Sequence, residues 1–292
     1  MINHLPSKLF LWDKRTLYIG PIGETLRLSQ GASTLLISLN DPISFQVNNS
    51  KQIIHCNSLL IPAGHDISIK TQSAIIAHCN LDALCEDYET IANNMENGSD
   101  SILFNLNNEA SFIDNLYYLY RQHCDSNLAH SIFMQSLKDC NALPQKSSSV
   151  FLKKRKNKQD ERIEKVIRII KKNINDNLSV ESLAVTINIS APRLMQLFKL
   201  KTGVTIRRYR LWHRLYMTCV RLGEGYNLTS AASSAGFTDS SHFSNAFKDM
   251  MGTSPSSMLL QDNGIEIIPP THQPIIKQEE PINGYLVEGC AP

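Results

Sequence analysis

The spacing of the hydrophobic residues changes along this chain, and each spacing predicts a different kind of structure. Residues 16–80 contain short apolar runs, such as 33–39, and alternating segments, such as 43–47. Turn residues, among them Pro62 and Gly64, separate these segments. Short strands so close together are typical of a small β-barrel or sandwich.

Beyond residue 81 the apolar residues recur every three or four positions, which predicts helices at 82–95, 112–120 and 128–140. In the second of these helices, Phe112, Leu116, Leu119 and Tyr120 share one face. The last two helices would form a hairpin that either covers the barrel or makes a dimer contact, and the sequence leaves both open.

A helix–turn–helix pattern follows from residue 160. After an amphipathic helix at 160–175, Ser179 is placed to cap a second helix and Ser190 a third. Pro192 lies in the first turn of that third helix, where a missing N–H costs nothing. The outward face of the helix offers the following side chains to a partner: Arg193, Met195, Gln196 and Lys199.

The same pattern recurs 50 residues later, from Ser190 to Ser240. Asn227 and Asp239 are placed as caps and Gly236 as the corner, and a helix rich in arginine, 205–222, joins the two units. The second unit presents another outward set: Ser240, Ser241, Asn245 and Lys248. A helix fits the major groove of DNA, so a rigid connection would place two such helices in successive grooves about 34 Å apart.

The charge of the chain is unevenly distributed, which supports a nucleic-acid partner for one part only. The net charge is +2, yet residues 151–262 hold 19 Lys and Arg against 9 Asp and Glu, while residues 1–150 hold 9 against 14. A basic segment of this kind is typical of polyanion binding.

Residues 160–259 resemble the DNA-binding domain of the AraC/XylS family of transcription regulators. Leu183, Leu194, Phe198 and Gly203 carry the resemblance in the first unit. In the second it rests on the run 236–248, from Gly236 to Lys248, followed by Pro255. The resemblance implies base-reading positions, and these fall on Pro192, Met195, Gln196, Ser240, Ser241 and Asn245. It implies phosphate contacts at Lys199, Lys248 and Arg193.

This sequence departs from the family where Met258 and Leu259 replace an aromatic residue and an arginine, so the last helix would be shorter or packed differently. The N-terminal segment more distantly resembles the cupin-like barrel that precedes this domain in many members. A metal-binding cupin needs a histidine pair and a carboxylate, and the matching region 29–33 has no histidine. We therefore expect no metal, no cofactor and no catalytic residues.

These observations predict an α+β protein of two domains. A cupin-like β-barrel with a helical hairpin (1–141), for effector binding or dimerisation, is followed by a linker (142–159). An all-α DNA-binding domain with two helix-turn-helix units joined by a long helix (160–262) comes next, then a flexible tail (263–292) with five prolines.

The expected function is sequence-specific binding of double-stranded promoter DNA, with activation of transcription as the outcome. The expected partners are RNA polymerase, a small-molecule effector and a second copy of the chain. No signal peptide or membrane span is evident, and the seven cysteines form no CxxC pair, so we expect no membrane partner and a cytoplasmic location.

Three alternatives remain open at this point. The first is a regulator without an effector that acts through a protein partner, and the second is a cupin enzyme fused to a DNA-binding module. The third, a DNA-repair methyl-transfer protein, would need a metal-bound cysteine cluster near the N-terminus, which the sequence lacks.

Overall fold

The structure, a computed structural model, describes residues 5–29, 31–46, 52–97, 101–141, 160–252, 254–256 and 264–270. It has a β-rich N-terminal part and a helical C-terminal part, so the predicted α+β fold class is confirmed. The predicted linker, 142–159, lies outside the described residues.

An eight-stranded sheet forms the centre of the N-terminal part, in the order β10-β11-β7-β4-β9-β2-β1-β12. Its strands are β1 (Ser7–Trp12), β2 (Arg15–Pro21), β4 (Ser33–Ser38), β7 (Ser58–Ile61), β9 (Ile75–Leu81), β10 (Glu96–Asn97), β11 (Leu103–Phe104) and β12 (Ile265–Ile268). A second sheet of four strands has the order β3-β8-β5-β6. Its strands are β3 (Thr25–Ser29), β5 (Ile43–Gln46), β6 (Ile53–Cys56) and β8 (Asp66–Lys70).

Both faces of the larger sheet are buried, which is why its strands read as nearly continuous apolar runs. Successive side chains of a strand point to opposite faces. In β1, Leu9 and Leu11 belong to the core shared with the smaller sheet and the C-terminal helices. Phe10 and Trp12 belong to a second core, beneath the helices that follow β9.

Those helices are α1 (Asp87–Ala92), α2 (Glu109–Arg121) and α3 (Ser126–Asn141). The hairpin of α2 and α3 packs on the sheet through Phe112 and Phe133, whose rings lie 5.6 Å apart, so it covers the β-domain. The dimer contact stays a prediction. The helix predicted at 82–95 is wrong at both ends. Its first residues form turns in which the Asp82 carboxylate accepts from the Leu84 amide.

The C-terminal part consists of α4 (Glu161–Lys172), α5 (Val180–Val185), α6 (Ala191–Thr202), α7 (Ile206–Gly223), α8 (Leu228–Ser234) and α9 (Ser240–Met251). The predicted caps are confirmed at four helices, where Ser179, Ser190, Asn227 and Asp239 each accept a hydrogen bond from a backbone N–H in the first turn. None of the helices in the described ranges is long and apolar enough to span a membrane.

The tail predicted from residue 263 contains a strand that the sequence analysis missed. Residues Ile265–Ile268 form β12, which pairs in parallel with β1 at the edge of the larger sheet. Glu266 lies 3.9 Å from the ammonium of Lys8 and 2.9 Å from His123. Ile267 also meets Gly223 at the end of α7, so the strand touches both parts of the molecule.

The helical part packs directly on the β-domain through α7 and α9. Tyr209 of α7 donates a hydrogen bond to the buried Asp82 carboxylate at 3.0 Å, and the Lys171 ammonium lies 3.2 Å from the same carboxylate. Gly252, at the end of α9, lies so close to the Arg27 carbonyl that a Cβ there would clash with it. The two parts therefore share one continuous core.

Candidate nucleic-acid interface

The first helix-turn-helix unit consists of α5 and α6. Leu183, Leu194 and Phe198 are fully buried between them, as the predicted packing requires. The corner between the helices passes through Asn188, which adopts a positive φ of 55°, a conformation that asparagine tolerates better than most residues. The apolar side of α6 therefore packs against α5, and the opposite side of α6 faces solvent.

All five candidate residues of this unit lie on that exposed side: Pro192, Arg193, Met195, Gln196 and Lys199. The Arg193 guanidinium donates to the Gln196 side-chain oxygen at 2.8 Å, so these two residues form one polar pair. Met195 is 51% exposed, an unusual position for an apolar side chain. Such a side chain can contact a thymine methyl group.

The second unit consists of α8 and α9 and has a core of stacked aromatic rings. The ring of Phe243 lies 5.3 Å from that of Phe237 and 5.6 Å from that of Phe247. Gly236 forms the corner with a φ of +86°, where a side chain would be strained. The four candidate residues are again exposed: Ser240, Ser241, Asn245 and Lys248.

Helix α7 connects the two units and is itself part of the core. Its 18 residues correspond to a length of about 27 Å. Tyr209, Trp212, Leu215 and Tyr216 are buried against the neighbouring elements. This packing buries one side of α7 in the core, and the placement of the two units in successive grooves stays a prediction.

One basic surface feature was not predicted from the sequence. Arg207, Arg210 and Arg214 of α7 line a cleft of about 370 Å³. We call it the arginine cleft. Asn177 and Val180 border it on the side of the first unit, and His242 on the side of the second. The sequence does place these three arginines on one side of the helix, because residues three and four positions apart on a helix share a face.

A smaller cavity lies between the β-domain and α7, with a volume of about 30 Å³. Its wall is mostly apolar and includes Leu11, Trp212 and Cys219, while Thr16, His78 and Asn80 form a polar end. We call it the interdomain cavity. The Nε2–H of His78 donates to the side-chain oxygen of Asn80 at 3.2 Å, and burial lowers the pKa of His78 to about 4, so this histidine is neutral at pH 7.

The described histidine and cysteine side chains were also considered as metal ligands and as reactive thiols. Among the described residues, no group of three or more His, Cys, Asp and Glu side chains could hold a metal ion. The six described cysteines are free thiols, and burial raises the pKa of Cys56, Cys85 and Cys219 to about 12. Thiols of this kind carry little thiolate and react slowly.

Comparison with known sequences places the similarity in the helical part. Residues 183–261 match the family model of a helix-turn-helix domain. The chain is 36% identical over 106 residues to an uncharacterized HTH-type transcriptional regulator, YidL, of Escherichia coli K12, a match that covers 36% of each protein. It is 32% identical over 95 residues to the Msm operon regulatory protein of Streptococcus mutans, with 32% of this chain and 34% of that protein covered. The chain therefore spans about a third of the length of the curated relatives it matches.

Comparison with solved structures extends over nearly the whole chain. ToxT from Vibrio cholerae superposes with a TM-score of 0.53, covering 84% of this chain and 97% of ToxT at 14% identity. A second crystal structure, of apo ToxT K231A, gives a TM-score of 0.55. At this level of identity the likeness shows a common fold.

Proposed function

We propose that this protein is a sequence-specific regulator of transcription that binds double-stranded promoter DNA. The proposal proceeds from the premise that the C-terminal part of the chain is an AraC-type helix-turn-helix domain. The observation that carries the proposal is the pair of equivalent units, each presenting an exposed polar face and joined by a packed helix. A single chain can then contact two successive major grooves.

The charges of the two faces suit a polyanion. Helix α6 contains no acidic residue, and Lys199 and Lys248 are exposed at the ends of the two faces. The acidic residue of α9, Asp249, lies 3.4 Å from Arg208, which offsets its charge. We assign base reading to Pro192, Met195, Gln196, Ser240, Ser241 and Asn245. Phosphate binding falls to Arg193, Lys199 and Lys248.

Substitution of Gln196 and of Lys248 should have different effects on DNA binding. A Gln196→Ala variant should lose discrimination at one base position, by about 1–3 kcal/mol, because the amide that contacts a base edge is gone. A Lys248→Ala variant should weaken binding to all sequences alike, because a phosphate contact carries no sequence information. Binding selection from a random DNA library measures both effects.

Glu181→Ala, a change at an exposed position on the other helix of the first unit, is the matched control and should leave the selected sequence unchanged. If Gln196→Ala selects the same sequence as the unsubstituted protein, the assignment of the α6 face is wrong.

We further propose that the interdomain cavity binds a small-molecule effector. At about 30 Å³ the cavity has room for two or three water molecules, far less than the several hundred Å³ of a typical ligand site. An effector would therefore have to widen the contact between the β-domain and α7. Its binding would favour a different placement of the DNA-binding units, which is how a ligand shifts a population between states.

The cavity wall favours a neutral effector with an apolar body. It contains no cationic side chain, and its one histidine is neutral at pH 7. A carboxylate buried there would lack a counter-charge. ToxT has been crystallised with (E)-4-(8-methylnaphthalen-1-yl)but-3-enoic acid, a compound with an apolar body and an acid group. For this chain we propose a hydroxyl or carbonyl in place of the acid.

A thermal-shift screen with matched ligands tests this proposal. A fatty alcohol that binds should raise the Tm, by an amount equivalent to about 2.7 kcal/mol at a concentration 100 times its Kd, and the fatty acid of the same chain length should not. A His78→Leu variant removes one of the three polar groups of the cavity and should bind the alcohol more weakly than the unsubstituted protein does. A larger Tm shift with the acid than with the alcohol would rule out a neutral ligand.

Activation through contact with RNA polymerase and assembly as a homodimer complete the proposed function. The alternative, a regulator that needs no effector and acts through a protein partner, is favoured if no compound in the screen stabilises the protein. The proposal includes no enzymatic activity, since the relatives that match the chain are named as regulators.

A further inference from the structure

The arginine cleft is a concave feature that the assignment of the two reading faces leaves unused. Its volume is about 370 Å³, against about 30 Å³ for the interdomain cavity. Three of its eight lining residues are arginines, and none is an aspartate or a glutamate.

The three guanidinium groups have no carboxylate partner among the described residues. Arg210 donates to the Leu178 backbone carbonyl, and Arg214 donates to the Asn177 side-chain oxygen at 2.8 Å, both neutral acceptors. Arg207 is exposed, and its side chain forms no hydrogen bond or ion pair within the described ranges.

The surroundings make this excess of positive charge costly. Burial, together with the neighbouring Arg214, lowers the pKa of Arg210, and burial lowers that of Arg214. Half-buried cations of like sign repel each other unless an anion lies between them. An anion placed between these groups would offset that repulsion.

The position of the cleft indicates where that anion comes from. Its walls belong to both helix-turn-helix units, α5 on one side and α9 on the other, with α7 as the floor. His242 of the wall immediately follows Ser241, one of the proposed base-reading residues. The cleft therefore lies between the two units to which the proposed function assigns the DNA.

We propose that the arginine cleft binds a phosphodiester group of the DNA backbone between the two segments that α6 and α9 read. This inference rests on the proposed function. Arginine suits the role because its planar guanidinium donates two parallel hydrogen bonds to phosphate oxygens. The contact adds affinity that does not depend on base sequence, and it fixes the DNA relative to both units at once.

The test is the salt dependence of DNA affinity for Arg207→Gln, measured with the full chain by fluorescence anisotropy at several salt concentrations. Arg207 has no partner to lose, so this variant should fold normally. The plot of log K against log salt should become shallower by about 0.9 in slope, the value for one phosphate contact. The preferred base sequence should not change.

Arg221→Gln is the matched control, because Arg221 lies on the same helix but already holds Glu224 at 2.7 Å. Its slope should equal that of the unsubstituted protein. An equal change in both variants would mean a general effect of net charge and would overturn the inference. A slope unaltered by Arg207→Gln would overturn it as well.

A second arm distinguishes DNA from a free phosphate compound. Inorganic phosphate is titrated into the unsubstituted protein and into Arg207→Gln without DNA, and the Tm is followed. Stabilisation of the unsubstituted protein alone at low millimolar phosphate, with equal salt slopes for DNA, would assign the cleft to a free anion and contradict the inference. If the unsubstituted protein shows no sequence preference at all, the proposed function fails. If it shows a preference, but its salt slope equals that of Arg207→Gln, only the phosphate contact in the arginine cleft is rejected.

Discussion

Replacing Asp82 with alanine should lower the free energy of unfolding by about 1–3 kcal/mol, because it leaves the buried Tyr209 hydroxyl without its acceptor and removes the nearer of two carboxylates from the partly exposed Lys171. The Asp82 side chain is completely buried where the β-domain meets the helices, and it accepts from Tyr209 and faces Lys171. Since whole domains are stable by about 5–15 kcal/mol, the loss is large. Urea unfolding monitored by circular dichroism measures it.

Asp82→Asn is the matched control for this prediction. The amide keeps the shape of the side chain and can still accept from Tyr209, but it removes the charge that faces Lys171. We expect a loss of stability intermediate between those of the unsubstituted protein and the alanine variant. Equal stability of Asp82→Ala and the unsubstituted protein would show that the contact between the two parts contributes little.

Replacing Phe243 with alanine should cost about 3–5 kcal/mol and abolish binding to the second half of the DNA site. The ring of Phe243 is fully buried and packs against Phe237 and Phe247, so its removal leaves a cavity at the centre of the second unit. Without that core, α9 loses the support that orients Asn245 and Lys248. Footprinting should then show protection over one major groove only.

Phe243→Leu separates loss of volume from loss of any apolar side chain. Leucine keeps most of the buried surface, so the expected loss of stability is smaller and protection of both grooves should persist. A full footprint with Phe243→Ala would contradict the proposed role of α9 in binding.

The helical part could be predicted closely because its signals are local. Ser190 and Asp239 cap helices through hydrogen bonds to residues three positions away, and Gly236 and Gly252 mark helix ends by their own backbone conformation. The exposed positions of α6 and α9 follow from the same helical period. The structure places each of the nine candidate residues on an exposed helix face. Their roles in DNA binding stay predictions.

The features that the sequence analysis missed depend on contacts between distant segments. Asp82 and Tyr209 are 127 residues apart, and no spacing rule relates them. Strand β12 has four residues with no clear alternation, and it becomes a strand because β1 offers an unpaired edge. The arginine cleft could be predicted only in part. The spacing of Arg207, Arg210 and Arg214 indicates a shared helix face, but the spacing does not indicate which residues of other elements form the walls.

The position of β12 has a mechanical consequence. The strand follows the helical domain in the chain yet pairs with β1 of the N-terminal sheet, so the helical domain is followed, as it is preceded, by a segment of that sheet. A movement of the helical domain away from the sheet would have to break this pairing or carry β12 with it, and hydrogen exchange at the backbone amides of Ile265–Ile268 would report whether the pairing opens.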